Sequence, residues 1–147
     1  MTYTNFSGAQ AMRRYVRHPA DIPIEVKTRG QMTHGIHNTV NLGVGGLAFR
    51  CGRDFAQGEV VHIRIPFVQP PFDVEARVAW CKPHDGGFEL GVEFLNRDDA
   101  NMTRMVEQVC HIANYRNSIR RTEGRELSPE EAAREWISKY AAKFPGR

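Results

Sequence analysis

Three arginines, Arg13, Arg14 and Arg17, fall within five positions, and no acidic residue appears in the first twenty. A guanidinium is a planar fork of N–H donors that takes phosphate bidentately and also matches the O6/N7 edge of guanine. Spaced four apart on an arm, Arg13 and Arg17 can close on a ligand from two sides. Taken alone, the cluster reads sooner as a solvated basic tail than as a site. A second stretch, "NLGVGGLAF" at 41–49, puts three glycines into four positions between two strand signals. Glycine admits positive φ and lets a ligand approach the backbone without a Cβ in the way. Consecutive main-chain N–H groups in such a turn can form an anion-binding concavity. Asn41 can offer its amide oxygen to a guanine N–H or to the turn itself. Alone, this stretch is also simply a tight hairpin or bulge.

The elements that must position these residues are mostly strands. Ile22, Ile24 and Val26 alternate with polar neighbours, as do Val61, Ile63 and Ile65. Phe72, Val74, Ala76, Val78 and Trp80 share one phase, and Phe88, Leu90, Val92 and Phe94 another. Period-two alternation of this kind predicts half-buried antiparallel strands. Further strands are expected at 32–40 and 47–51, with Gly, Pro and Asp clusters as the turns between them. Six such strands suit a small barrel or sandwich. An eight-stranded barrel is only just wide enough for side chains to fill. A six-stranded one therefore leaves the outer surface or a rim as the place for a site. Trp80 is expected in the core and Arg77 as a solvated strand charge, while Arg50 lies on a strand near the two stretches.

Beyond residue 97 the apolar period becomes helical, through Met102, Met105, Val106, Val109 and Ile112. A second helix is announced by Ser128 as N-cap, Pro129 at the first helical position and Glu131 completing a capping box. Its apolar stripe is Ala133, Trp136, Ile137, Tyr140, Ala141 and Phe144, with Pro145 and Gly146 as its end. That stripe packs on the barrel or covers a partner. The polar run "RRTEGRE" is expected to be an exposed link between the two helices.

Composition narrows the functional classes. The net charge is +3, but residues 1–100 hold eleven basic and eleven acidic side chains, and the remaining 47 hold nine and six. The excess lies in the last 47 residues, and the rest is neutral apart from the local 13–17 cluster, which favours a small anion over a nucleic-acid polymer and its broad basic face. The strand aromatics fall in the inward phase, against a stacking platform for single strands. No apolar run long enough to span a membrane occurs, and the opening residues lack a secretory h-region. Three scattered cysteines suit a reducing, cytoplasmic setting. His34 with His37, and Cys81 with His84, lack a complete four-ligand zinc pattern. No nucleophile motif is present. Neither a metal nor a catalytic residue is therefore assigned.

Together, the arginine and glycine stretches resemble the PilZ family, bacterial receptors for c-di-GMP. That family carries R-x-x-x-R on an N-terminal arm and D/N-x-S-x-x-G further along the chain. Arg13 and Arg17 match the first motif, and Asn41 and Gly46 match the second. The strands at 76–81 and 89–95 are similar to the family's closing strands. The resemblance covers roughly residues 12–97. It implies a mainly β fold, a six-stranded antiparallel barrel, here carrying a C-terminal extension of two helices. The chain divides into a flexible ligand-binding arm at 1–19, the barrel at 20–97 and the helical extension at 98–147.

The implied ligand is c-di-GMP, with no cofactor, and the implied site is Arg13, Arg14, Arg17, Asn41, Gly43 and Gly46. The implied activity is that of a non-enzymatic sensor or adaptor that orders its arm on binding and signals to a partner protein. Its alternative is a PilZ-like interaction scaffold that has lost the ligand. Oligomeric state is left open. Gly43 stands where the family has a serine whose hydroxyl helps hold the ligand. Losing such a bond costs about 0.5–1.5 kcal/mol, up to about tenfold in affinity. A backbone N–H or a water at Gly43 is the expected substitute, and a serine restored there is expected to preserve or tighten binding.

Overall fold

The computed structural model describes residues 16–28, 33–96 and 98–140. Arg13, Arg14 and most of the arm drawn at 1–19 lie outside them, as do Ala141, Phe144, Pro145 and Gly146. The strands are β1 (His18–Pro19), β2 (Pro23–Thr28), β3 (Thr33–Leu42), β4 (Gly46–Cys51), β5 (Val60–Ile65), β6 (Phe72–His84) and β7 (Gly87–Phe94). Two helices follow, α1 (Asp99–Glu123) and α2 (Pro129–Tyr140).

All pairings are antiparallel, in the order β1-β3-β2-β5-β6-β7-β4, and β4 returns to β3 to close a six-stranded barrel. Strand β1 is the seventh. It lies on the edge of β3 that β2 also uses, with His18 opposite Leu42 and Pro19 opposite Asn41. The link between β1 and β2 stays on that edge, because Ala20 N–H donates to Val40 O at 3.1 Å and Thr39 N–H to Ile22 O at 3.2 Å.

The alternating residues fill the barrel as their period requires. Ile24, Val26, Leu47, Phe49, Ile63, Ile65 and Leu90 are all buried in one apolar cluster. Trp80 departs from its expected place. Val78 pairs with Val92, yet Trp80 pairs with Gly91, so the register slips by one residue at Ala79. An extra residue in one strand reverses the phase of everything after it. Cys81, opposite Leu90, therefore joins the core cluster, and Trp80 is turned to the outer face.

Helix α1 closes the barrel end where β2, β4 and β6 begin and β3, β5 and β7 finish. Met102, Met105, Val106, Val109 and Ile112 extend the barrel's own core cluster. Gln108, a buried polar residue, holds the β5–β6 turn: its Oε1 accepts from Gln69 N–H at 2.9 Å, and its Nε2 donates to Gln69 O at 2.7 Å. Arg116 donates from Nη1 to Asp21 Oδ2 at 2.6 Å and from Nε to Leu127 O at 2.7 Å.

The expected link "RRTEGRE" is mostly helix instead. Arginine and glutamate are good helix formers, and α1 runs on until Gly124, at φ 69°, closes it in the left-handed conformation. Helix α2 begins with the reciprocal capping box. Ser128 N–H donates to Glu131 Oε1 at 2.8 Å, and Glu131 N–H to Ser128 Oγ at 3.0 Å. Ala132, Ala133 and Trp136 are buried beneath it, with Trp136 stacked on His111 of α1 at 5.8 Å between ring centres.

Candidate functional site

The Arg17 guanidinium reaches across 24 residues of sequence to Asn41, where Nη1 donates to Oδ1 at 3.0 Å. Backbone pairing makes the meeting possible, since β1 holds the arm against the end of β3 and leaves Arg17 just outside the last paired residue. The other end of the guanidinium lies against Gly46: a Cβ there would sit 2.9 Å from Arg17 Nη2 and 2.1 Å from Val92 O. Three of the six expected site residues, Arg17, Asn41 and Gly46, are thereby brought together. Gly43 adjoins them in the same turn, while Arg13 and Arg14 lie outside the described residues.

The glycines of the turn are not there for positive φ, which occurs at other glycines of the described chain. They allow close approach. A Cβ at Gly43 would lie 2.3 Å from Val16 O, a backbone atom of the arm. The Gly43 N–H is also committed, because it donates to Gly46 O at 2.9 Å. This leaves it unable to stand in for the missing serine hydroxyl. Gly45 O accepts from Phe94 N–H at 2.9 Å, which ties the turn to the last residue of β7.

Register places further residues on the same outer face. Asn41 pairs with Ala48, Ala48 with Gly91, and Gly91 with Trp80, forming one row across β3, β4, β7 and β6. The next row reads Gly46, Glu93 and Arg77. Leu47, Phe49, Leu90 and Val92 alternate with these positions and point into the core. Adjacent strands lie about 4.8 Å apart, so the first row spans about 14 Å.

Its middle is made of two residues with almost no side chain, Ala48 and Gly91, and both are buried beneath their neighbours. The Trp80 indole lies directly over Gly91, where a Cβ would meet Nε1 at 2.2 Å. The Lys82 ammonium sits 5.4 Å from the Trp80 ring centre. Periodicity alone missed Trp80 as a surface residue. The signal that could have found it is Gly91, a glycine within an otherwise regular strand.

Other candidate chemistry does not assemble. Among the described residues no group of three or more His, Cys, Asp or Glu is placed to hold a metal ion. His37 packs against the Phe49 ring at 5.8 Å, and His84 lies 3.4 Å from Asp85. Burial pushes the thiols of Cys51 and Cys110 above their ordinary value, which lowers the fraction present as reactive thiolate. No helix among the described residues is long and apolar enough to cross a membrane.

A family model, described as the PilZ domain, matches residues 12–110. The chain belongs to the PilZ family. Solved PilZ structures share its fold. The PilZ domain of YcgR from Escherichia coli, determined with c-di-GMP, superposes with a TM-score of 0.60 at 19% identity, covering 73% of this chain and 98% of that one. Longer YcgR from the same organism, in complex with c-di-GMP, gives 0.55 at 18%, covering 73% and 50%. The Bacillus subtilis inhibitor of motility MotI/DgrA gives 0.55 at 17%, covering 70% and 51%. This PilZ chain thus spans about half the length of the last two proteins. A search of curated protein sequences finds no match.

Proposed function

We propose that this PilZ chain is a c-di-GMP-binding sensor that acts by binding rather than by catalysis. The observation that carries the reading is the convergence of Arg17, Asn41 and Gly46 on one outer patch from segments far apart in sequence. Two PilZ structures that share the fold were determined with c-di-GMP. The Arg17 guanidinium supplies charge-assisted donors to a phosphate or a guanine edge. Asn41 Oδ1 accepts from a guanine N–H once Arg17 turns to the ligand. The half-buried Trp80 ring, which lies over Gly91, offers a stacking surface for a base at the far end of the row that starts at Asn41. Arg13 and Arg14 close over the ligand from the arm. The surface presented to a partner protein then changes as the closed arm is selected.

A titration of c-di-GMP followed by calorimetry tests this. The wild type is expected to bind, and Arg17→Ala to lose about a hundredfold in affinity through two charge-assisted hydrogen bonds. The free variant should melt within about 1 kcal/mol of the wild type, the usual net worth of a hydrogen bond such as the one to Asn41. Unchanged affinity in Arg17→Ala would remove the site. The alternative, a scaffold that has lost the ligand, is favoured by one observation: Gly43 has no hydroxyl, and its N–H is already spent on Gly46. Wild-type protein giving neither heat nor a thermal shift would select it.

A further inference from the structure

Gly43 departs from the family pattern, and its surroundings give the departure a purpose of its own. No positive φ is required of it, so a side chain there brings no backbone strain. What a side chain meets is the arm. The built Cβ falls 2.3 Å from Val16 O and 3.3 Å from Arg17 Cδ. Ordinary contact begins near 3.4 Å, so the arm would have to withdraw by about 1 Å. The obstructing atom is a main-chain carbonyl with no rotamer to give way, and the adjoining residues are paired to β3 at His18 and Pro19. Withdrawal therefore moves the backbone that carries Arg17 and stretches its 3.0 Å bond to Asn41.

From this we infer that Gly43 is a positioning residue, which seats the arm on the turn and thereby aims Arg17. The hydroxyl of the family's serine has been exchanged for a close backbone seat. Val16 shows how specific the seat is: its side chain is 73% exposed, and what approaches Gly43 is its carbonyl oxygen. A serine at 43 adds a hydrogen-bonding group but lifts the arm. The charge-assisted contacts of a misplaced Arg17 outweigh one hydroxyl contact. Restoring the family residue should consequently weaken binding. The inference rests on reading this face as the c-di-GMP site, but the seating of the arm is measurable without ligand.

The experiment uses the full chain with Gly43→Ala, Gly43→Ser and, as a control, Gly52→Ser, since Gly52 has nothing within 4 Å of its built Cβ. Amide exchange at Ala20, whose N–H donates to Val40 O, reports arm seating in the free protein. Both Gly43 variants should exchange about tenfold faster there, and both should bind c-di-GMP about tenfold more weakly. Gly52→Ser should change neither. Gly43→Ser binding as tightly as the wild type would overturn the inference, as would unaltered Ala20 exchange in both variants. Should wild-type protein bind no c-di-GMP, the functional reading fails, while Ala20 exchange still decides whether Gly43 seats the arm.

Discussion

The two faces that meet at one end of the barrel are built in opposite ways. On the helical side, α1 and α2 bury methionine, valine, isoleucine and tryptophan side chains and clamp themselves with Gln108, Arg116 and the Ser128–Glu131 capping box. On the arm side, a two-residue strand and the Arg17–Asn41 bond lie over small residues, Gly43, Gly46, Ala48 and Gly91, which they and Trp80 help to cover. The first is a packed interior with little left to give. The second is held by a short backbone pairing and close approach to small residues, the kind of region that local stability leaves free to rearrange around a ligand. A small barrel with a filled core has to separate the two tasks, since nothing can bind within it.

Substitutions can break this contrast, and the largest effect is expected on the helical side. Trp136→Ala should cost about 3–5 kcal/mol of stability by chemical denaturation, the usual penalty for emptying a buried indole site. It should leave c-di-GMP affinity unchanged; a parallel loss of affinity would show that the two faces are not separable. Gln108→Leu should cost about 1–3 kcal/mol, because the Gln69 N–H and C=O lose their partner while the apolar side chain obstructs water. On the arm side, the order of effects reverses. Trp80→Ala should weaken c-di-GMP binding by about tenfold, at the lower end of what base stacking contributes, with the melting temperature nearly unmoved. A large loss of stability would instead return Trp80 to a structural role.

The smallest effect concerns acid. Hydrogen bonds from Arg125 first, and then Tyr115, hold the Glu135 carboxyl below its ordinary value of 4.5. A carboxylate lowered in the folded state adds stability above its unfolded value, and that contribution is lost as pH falls through the folded one. Glu135→Gln should therefore melt slightly lower than wild type at neutral pH, and the gap should close in acid. The group is exposed, so the difference should be small.

Strand positions were legible because a half-buried sheet imposes its period on the residues directly, and Ile24, Val26, Ile63 and Leu90 obey it. The bulge at Ala79 was not, since one inserted residue leaves "ARVAW" looking like unbroken alternation. Only the partner strand reveals it, through the glycine that Trp80 requires. The extent of α1 was misread for a different reason: polarity in "RRTEGRE" signals exposure, whereas what ends a helix is the backbone choice made at Gly124. Motif order drew attention to Arg17, Asn41 and Gly46 together. Gly43 read as a missing hydroxyl, because a sequence shows the group that is absent and conceals the neighbour that lies against the position, here Val16 O.

Arg116 carries a consequence for how portable the barrel is. One guanidinium grips the residue that leads into the first barrel strand and the residue that precedes the second helix, bridging positions 95 apart in the chain with Asp21. A barrel excised at residue 97 would lose that staple and uncover the apolar floor on which α1 lies. Transplanted into a chimera, residues 12–97 would arrive with an open base and a loosened arm root. The transferable unit is the barrel together with at least the first helix.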